Sequence, residues 1–539
     1  MRYFFTEDSS QDNGPVVELQ RRATWLGLAL ILQVLSELSY NVPQELRDFS
    51  FYLYLLLHFL ALALILGSFT AMWMAFRPDT VKQQTQPLHK HPRPWQRVVL
   101  VLTLLLSVVG GVLWGLTLVE SFSPPQYSND GTSLDANAAQ LLLQGRNPYT
   151  DSSILDIARR FQIQPDWTTP LRQGQFANRL EYPTRIDFRT ALDTDLKAGR
   201  APEFESRISY PALAFLTLVP FVLFKNDNVL PFYLLCYLLL VAFAWRVARP
   251  ELRPWVLLLA MANVPMWSSV LSGNLDIFDT LLIVLALLQR NHRWRSALFL
   301  GLALASKQIS WFFAPFYVVM IWRHYSLTEA VRRLAIAWFI GLAFNLPFIL
   351  WNPQAWLAGV LAPIADPMFP LGIGLIDLSV IHALPFFPQW VYSALEGSAV
   401  LLSLVWYWRL SRTHPEAVML LAVIPLLFAW RSLPSYFFGV AYPIFLLMVA
   451  RVLPSRHQAV HRSVSLLSES GHQTSWDIPV WVGICTAYGR RVYRSSRELV
   501  GVLISNVVRF VSPIIHAPAV PVSLALCIAS CLVCYTAMK

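Results

Sequence analysis

"FYLYLLLHFLALALILGSFTAMWMAF", residues 51–76, contains no Asp, Glu, Lys or Arg. A helix needs about 20 apolar residues to cross the hydrocarbon core of a bilayer, so this stretch spans with length to spare. "VVLVLTLLLSVVGGVLWGLTLVE", residues 98–120, reads the same way, and "RRATWLGLALILQVLSEL", from Arg21, is the expected first span. The chain as a whole is 55% hydrophobic and 14% charged, with mean hydropathy +0.48. Soluble domains carry about 25% charged residues. Many of its 20 Trp lie near the ends of the apolar runs, where amphipathic rings favour the interface. A transmembrane β-barrel would alternate in segments of about ten residues instead. The fold class is therefore all-α and polytopic.

Residues 1–17 are polar and acidic, with no basic stretch leading into a short apolar core, so the first helix is expected to be an uncleaved anchor. Cys236, Cys485, Cys527, Cys531 and Cys534 lie in or next to apolar runs without zinc-ligand spacing, and read as small buried hydrophobes. The net charge of +10 does not indicate nucleic acid. Between Ser121 and Arg207 there are 11 acidic and 10 basic residues, and the excess sits in short loops and at the C-terminus, as the positive-inside rule produces.

That rule also sets the orientation. Arg77, Lys82, Lys90, Arg93 and Arg97 place the loop after residue 76 in the cytoplasm, so residues 121–208 are an external loop. Basic clusters at Arg246/Arg249/Arg253, Arg290/Arg293/Arg295, Arg323/Arg332/Arg333, Arg409/Arg412 and Arg451/Arg456 are cytoplasmic in the same scheme. The tips facing outward are then "SGNLD" (272–276), "ASKQIS" (305–310), residues 351–370 and "WRSLPSY" (430–436). "SYPALAFLTLVPFVLF", residues 209–224, contains Pro211 and Pro220 and reads as a broken or re-entrant helix, tolerated only where it is buried in protein or lines a cavity. Residues 371–390, broken by Gly and Pro, read as a second such piece. Three parts follow: N-terminal spans and a cytoplasmic loop (1–96), a transmembrane core (97–453), and a basic C-terminal extension with one possible last span (454–539).

Polar groups gather on the external face. Asp130 and Asp135, in "SNDGTSLD", either cap a short amphipathic helix or serve as a general base. Asn147 and Tyr149, in "GRNPY", sit where Gly145 and Pro148 signal a helix stop. Asn274 and Asp276 either cap the next helix or face the same space. Lys307 lies in an apolar hairpin too short for a full span, where a cation either snorkels or has a partner or function. Arg431 repeats the pattern. A lipid phosphate carrying a sugar suits two cations and several carboxylates at one outer face, because cations offset the charge that grows on a leaving phosphate. No Gly-rich phosphate loop or dinucleotide fingerprint is present.

"Asp130…AAQLLLQGRNPY", "SYPALAFLTLVPF", "SGNLDIFDTLLIVLAL", "ASKQISWFFAPF" and "NLPFILWNPQAW" occur in an order that resembles the GT-C superfamily of integral membrane glycosyltransferases. The branch most like it contains the bacterial polyprenol-phosphate-mannose-dependent α-mannosyltransferases. The resemblance runs over about residues 97–450. It implies 11 to 13 transmembrane helices with re-entrant segments, a large first external loop carrying the catalytic base, and a polyprenyl-phosphate sugar donor. Asp130 matches the position of that base, with Asp135 as the alternative. Two departures stand out: the family's Tyr-Pro-Pro reads Tyr210-Pro211-Ala212, and its Gly-Gln-x-Asp turn reads Gly273-Asn274-Leu275-Asp276.

The expected activity is inverting transfer of a mannose-like hexose or pentose to a hydroxyl of a lipid or glycan acceptor, at the outer face of the cytoplasmic membrane. Lys307 and Arg431 are expected at the phosphate, and Asn147, Tyr149, Tyr210, Asn274, Asp276 and Gln308 around the sugar or lipid. No cofactor or metal is called for, although some members of the superfamily bind a divalent ion. Membrane lipids are the expected surroundings, and nucleic acid is not an expected partner. The rival readings are a transporter or flippase of lipid-linked sugars and a non-catalytic scaffold.

Overall fold

The computed structural model describes residues 14–42, 45–77, 93–123, 130–161, 163–164, 167–224 and 228–451. The C-terminal extension, with its expected last span and four of the five cysteines, lies outside the described residues, as do Lys82 and Lys90. The chain is an all-α polytopic membrane protein. Among the described residues six helices are long and apolar enough to cross a bilayer: Val16–Tyr40, Phe51–Phe76, Pro94–Glu120, Leu230–Val247, Leu327–Trp351 and Pro434–Arg451. A seventh is formed if Pro250–Ala262 and Val264–Leu271, bent by 54°, count as one span. Pro265 lies just after that bend and has no N–H to give to a continuous helix. The 11 to 13 crossings expected above also count shorter helices, among them Asp276–Leu288 (13 residues), Arg293–Ser306 (14) and Ile309–His324 (16). At 1.5 Å per residue these reach only about 20–24 Å. Ile309–His324 presents Trp311 and Trp322 on its surface.

The first two long helices form a hairpin fastened by hydroxyls. Ser36 Oγ donates to the Ala61 carbonyl at 2.7 Å, and Ser68 Oγ to the Ala29 carbonyl at 3.0 Å. Small hydroxylated residues let helices approach closely and add bonds across the gap.

Residues 209–224 are broken. Two short helices, Leu213–Leu216 and Val219–Leu223, replace one span. The backbone N–H of Ala212 donates to Asn345 Oδ1 at 3.0 Å, and the Trp356 indole N–H donates to the same oxygen at 3.0 Å. Asn345, buried in the helix Leu327–Trp351, thus satisfies irregular backbone that lipid could not.

The loop over residues 130–207 has its own core, joined by Phe369. Phe176, Phe188, Phe204, Tyr182 and Phe369 stack edge-on or tilted, with centroids 5.8–6.4 Å apart. Isolated antiparallel bridges join Pro170 to Phe204 and Leu171 to Met368, which clips the loop to the 351–370 tip. A second clip is a short parallel strand pair, Leu371–Gly372 with Arg431–Ser432. Gly372 has φ +124°, and a Cβ there would collide with the Ser432 backbone, so glycine alone fits this close approach.

Candidate functional site

Asp130 is already helical in the helix Asp130–Leu143. Asp135 is therefore inside the helix and is not its cap. Nor is the helix two-faced: eleven of its 14 residues are buried. Alanines at 136, 138 and 139 let neighbours close in on every side, and Thr132 Oγ1 donates to the Gly273 carbonyl, which docks the helix on the "SGNLD" turn. The helix ends where Gly145 turns to φ +74°. Asn147 then caps Pro148–Asp151, its Oδ1 accepting from the Tyr149 N–H at 3.0 Å.

Asp130 Oδ2 accepts from the Thr169 N–H at 2.6 Å. Burial pushes its carboxyl up from the usual range, while the Thr169 hydroxyl and N–H and the Arg431 charge pull it back. Asp135 is 1% exposed, and neither of its oxygens has a hydrogen-bond partner among the described residues. Burial raises it well above the usual range, and the Lys307 charge opposes that. Two carboxyls about one and a half turns apart are thus each within electrostatic reach of a different cation.

Lys307 lies at the break between Arg293–Ser306 and Ile309–His324, in extended backbone. It is buried rather than snorkelled, paired with Asp276 Oδ1, and 5.4 Å from the centroid of the Tyr210 ring. Asp276, in the first turn of its helix, has its other oxygen buried and without a partner among the described residues. Asn274 is half-buried on the turn before it, where its N–H donates to the Ser269 carbonyl at 2.9 Å. Leu275, not Asn274, takes the cap position. Arg431, on its short strand, is half-buried, and its Nη1 has no hydrogen-bond partner among the described residues.

Two expected residues use their polar atoms within the wall. Tyr149 OH donates to the Tyr210 carbonyl at 2.8 Å, with its ring edge-on to Phe215 and Phe348. Gln308 Nε2 donates to the Ser209 carbonyl and, at 2.8 Å, to the Val360 carbonyl. Gly359 lies against Tyr149 so closely that a Cβ would press on its ring.

Tyr436 is not among the residues that the sequence singles out. It lies within electrostatic reach of Arg431, Lys307 and Asp276 and so joins the two cation positions. Its signal is its place on the same 430–436 tip, five residues after Arg431. Beside it a cleft is lined by Asp276, Asp279, Thr280, Ser435 and Tyr436. Among the described residues no group of three or more His, Cys, Asp or Glu is placed to hold a metal ion.

Fold and site together define a multi-pass helical membrane protein with a buried acid–cation assembly at the junction of short hairpins and an extramembrane loop. Residues 209–430 match the family model described as Glycosyltransferase family 87, and the match supports a glycosyltransferase. The matched stretch holds Tyr210, Asn274, Asp276, Lys307 and Gln308 and stops one residue short of Arg431; Asp130, Asp135, Asn147 and Tyr149 lie before it. No curated protein and no solved structure matches the chain.

Proposed function

We propose that the protein transfers a sugar, a mannose-like hexose or a pentose, from a polyprenyl phosphate to an acceptor hydroxyl at the outer face of the cytoplasmic membrane. The observation that carries this reading is that Asp130 lies within electrostatic reach of Arg431, whose guanidinium has a nitrogen without a partner among the described residues. Such a nitrogen matches a phosphate oxygen, since a guanidinium presents its donors as a fork. Lys307 is the second cation at the phosphate. Tyr210, Asn274 and Asp276 line the sugar, while Asn147, Tyr149 and Gln308 shape the wall around it.

The step is one displacement. The acceptor oxygen bonds to the anomeric carbon as its proton passes to the Asp130 carboxylate. The bond from that carbon to the phosphate oxygen breaks, its electron pair stays on the phosphate, and the carbon inverts. A carboxyl raised by burial is a stronger base than a free one. Asp130 is preferred over Asp135 because both Asp135 oxygens are fully buried. The reading is tested with Asp130→Asn and Asp135→Asn in proteoliposomes supplied with polyprenyl-phosphate mannose and a panel of hydroxyl acceptors. Asp130→Asn is expected to lower kcat at least about 100-fold while polyprenyl phosphate still binds. Full transfer by Asp130→Asn with loss in Asp135→Asn moves the base to Asp135. Lipid translocation without transfer in the wild type favours a flippase.

A further inference from the structure

The N-terminal hairpin lies outside the residues matched by the glycosyltransferase family, yet it grips the wall that carries Arg431 and Tyr436. His58, in the helix Phe51–Phe76, brings its Nδ1 to 2.9 and 3.0 Å from the two oxygens of Asp377, and both side chains are almost fully buried. Asp377 lies in the helix Leu375–Val380, directly after the strand Leu371–Gly372 that pairs with Arg431–Ser432. The Gly372 N–H, on that strand, donates to the Tyr40 hydroxyl oxygen at 3.1 Å. The neighbouring Ile373 N–H donates to the Ser432 carbonyl at 3.0 Å. From the first helix, Gln33 Nε2 donates to the Phe437 carbonyl at 3.0 Å, and Phe69 stacks edge-on to Phe437 at 5.4 Å. Two polar links, one buried and one part-buried, therefore run from residues 40–58 to the 371–377 segment that pairs with the Arg431 strand, and a buried hydrogen bond and a ring contact run from Gln33 and Phe69 to Phe437, beside Tyr436.

We infer that His58 and Asp377, seconded by Tyr40, are positioning residues that set the direction of the Arg431 guanidinium toward the phosphate of a polyprenyl-phosphate lipid. A general fastening of the hairpin would not need these sites: Ser36 and Ser68 already bind the two helices to each other. The His58–Asp377 pair instead ends on a two-residue strand. A shift of that strand, tethered at Gly372 by Tyr40, passes straight to Ser432 and Arg431. The inference rests on the reading of Arg431 as a phosphate ligand.

The test uses the full-length protein in nanodiscs and undecaprenyl phosphate as the probe, so that neither sugar nor acceptor need be known. Arg431→Ala is expected to weaken binding about tenfold or more, the range of one charge-assisted hydrogen bond. His58→Ala is expected to weaken it about five- to tenfold. In the double variant the two losses are expected not to multiply, because a misdirected guanidinium and a missing one are equivalent. His58→Asn, whose amide nitrogen falls near the imidazole Nδ1, is expected to bind within about twofold of the wild type. Losses that multiply in the double variant overturn this inference and leave Arg431 in place as a ligand. Wild-type binding by Arg431→Ala overturns both readings together. Tyr40→Phe removes one oxygen and little volume. If His58→Ala does not fold, Tyr40→Phe takes its place in the cycle with Arg431→Ala, and multiplying losses there overturn the inference in the same way.

Discussion

Replacing Lys307 by methionine isolates the energetics of the buried pair. Both side chains are nearly enclosed, at 8% exposure for Lys307 and 7% for Asp276. Asp276 Oδ2 already has no hydrogen-bond partner among the described residues, so Lys307 is the group that offsets its charge. Removing one partner of such a pair costs about 3–5 kcal/mol, because the remaining charge is left uncompensated in a low-dielectric site. Little solvent screening is available at this burial, so the full range applies. The double variant Lys307→Met/Asp276→Asn removes the orphaned charge as well and is expected to recover at least about 2 kcal/mol. Unfolding driven by sodium dodecyl sulfate in mixed micelles, followed by tryptophan fluorescence, measures both. The reasoning is refuted if Lys307→Met unfolds like the wild type, or if the double variant is as unstable as the sum of the two single ones.

Two further outcomes follow from the loop and its clip. Burial and the neighbouring Asp366 raise the Glu205 carboxyl to about 8, and burial and Glu203 raise Asp195 to about 7. The folded loop therefore holds these protons more tightly than the unfolded chain does. Their stabilisation is complete below the ordinary carboxylate value and is lost as pH rises through about 7 to 8. Hydrogen exchange across residues 167–207 is expected to accelerate between pH 5 and pH 8, beyond its intrinsic pH dependence, and Glu205→Gln is expected to flatten that rise. At the strand pair, Gly372→Ala places a Cβ against the Ser432 backbone at φ +124°. Strain of about 1–3 kcal/mol is expected to displace Arg431 and weaken polyprenyl phosphate binding, with the helices intact by circular dichroism.

The long spans are legible because length and hydropathy alone decide them: residues 51–76 leave no alternative to a membrane helix. The broken segment is legible through Pro211 and Pro220, which forbid a regular ladder. Lys307 and Arg431 stand out because an ionised group in an apolar hairpin is costly enough to require a reason. Asp130–Ser133 are already helical, although the local sequence suggests a helix only from about Leu134. "DGTS" carries a glycine and two hydroxyl residues that favour caps and turns over helix interiors, and the packing that overrides them comes from the "SGNLD" turn. His58 and Asp377 are invisible for a different reason. They are 319 residues apart, and neither alone breaks a local pattern. Tyr436 is marked only by its place five residues after Arg431, because an aromatic at a hairpin tip is ordinary at an interface and its link to both cations is three-dimensional.

The helix Ile309–His324 has a consequence for the surrounding lipid. Trp311 and Trp322 are both exposed and stand eleven residues apart, about 16 Å along the axis. Indoles settle at headgroup level, and the acyl layer is about 30 Å thick. Hydrophobic mismatch of this size is relieved by thinning and by tilt, so a thinned bilayer is expected on the flank next to Lys307. An isoprenoid there would have its head drawn toward the midplane, and thicker bilayers are expected to slow the protein without touching a single residue of it.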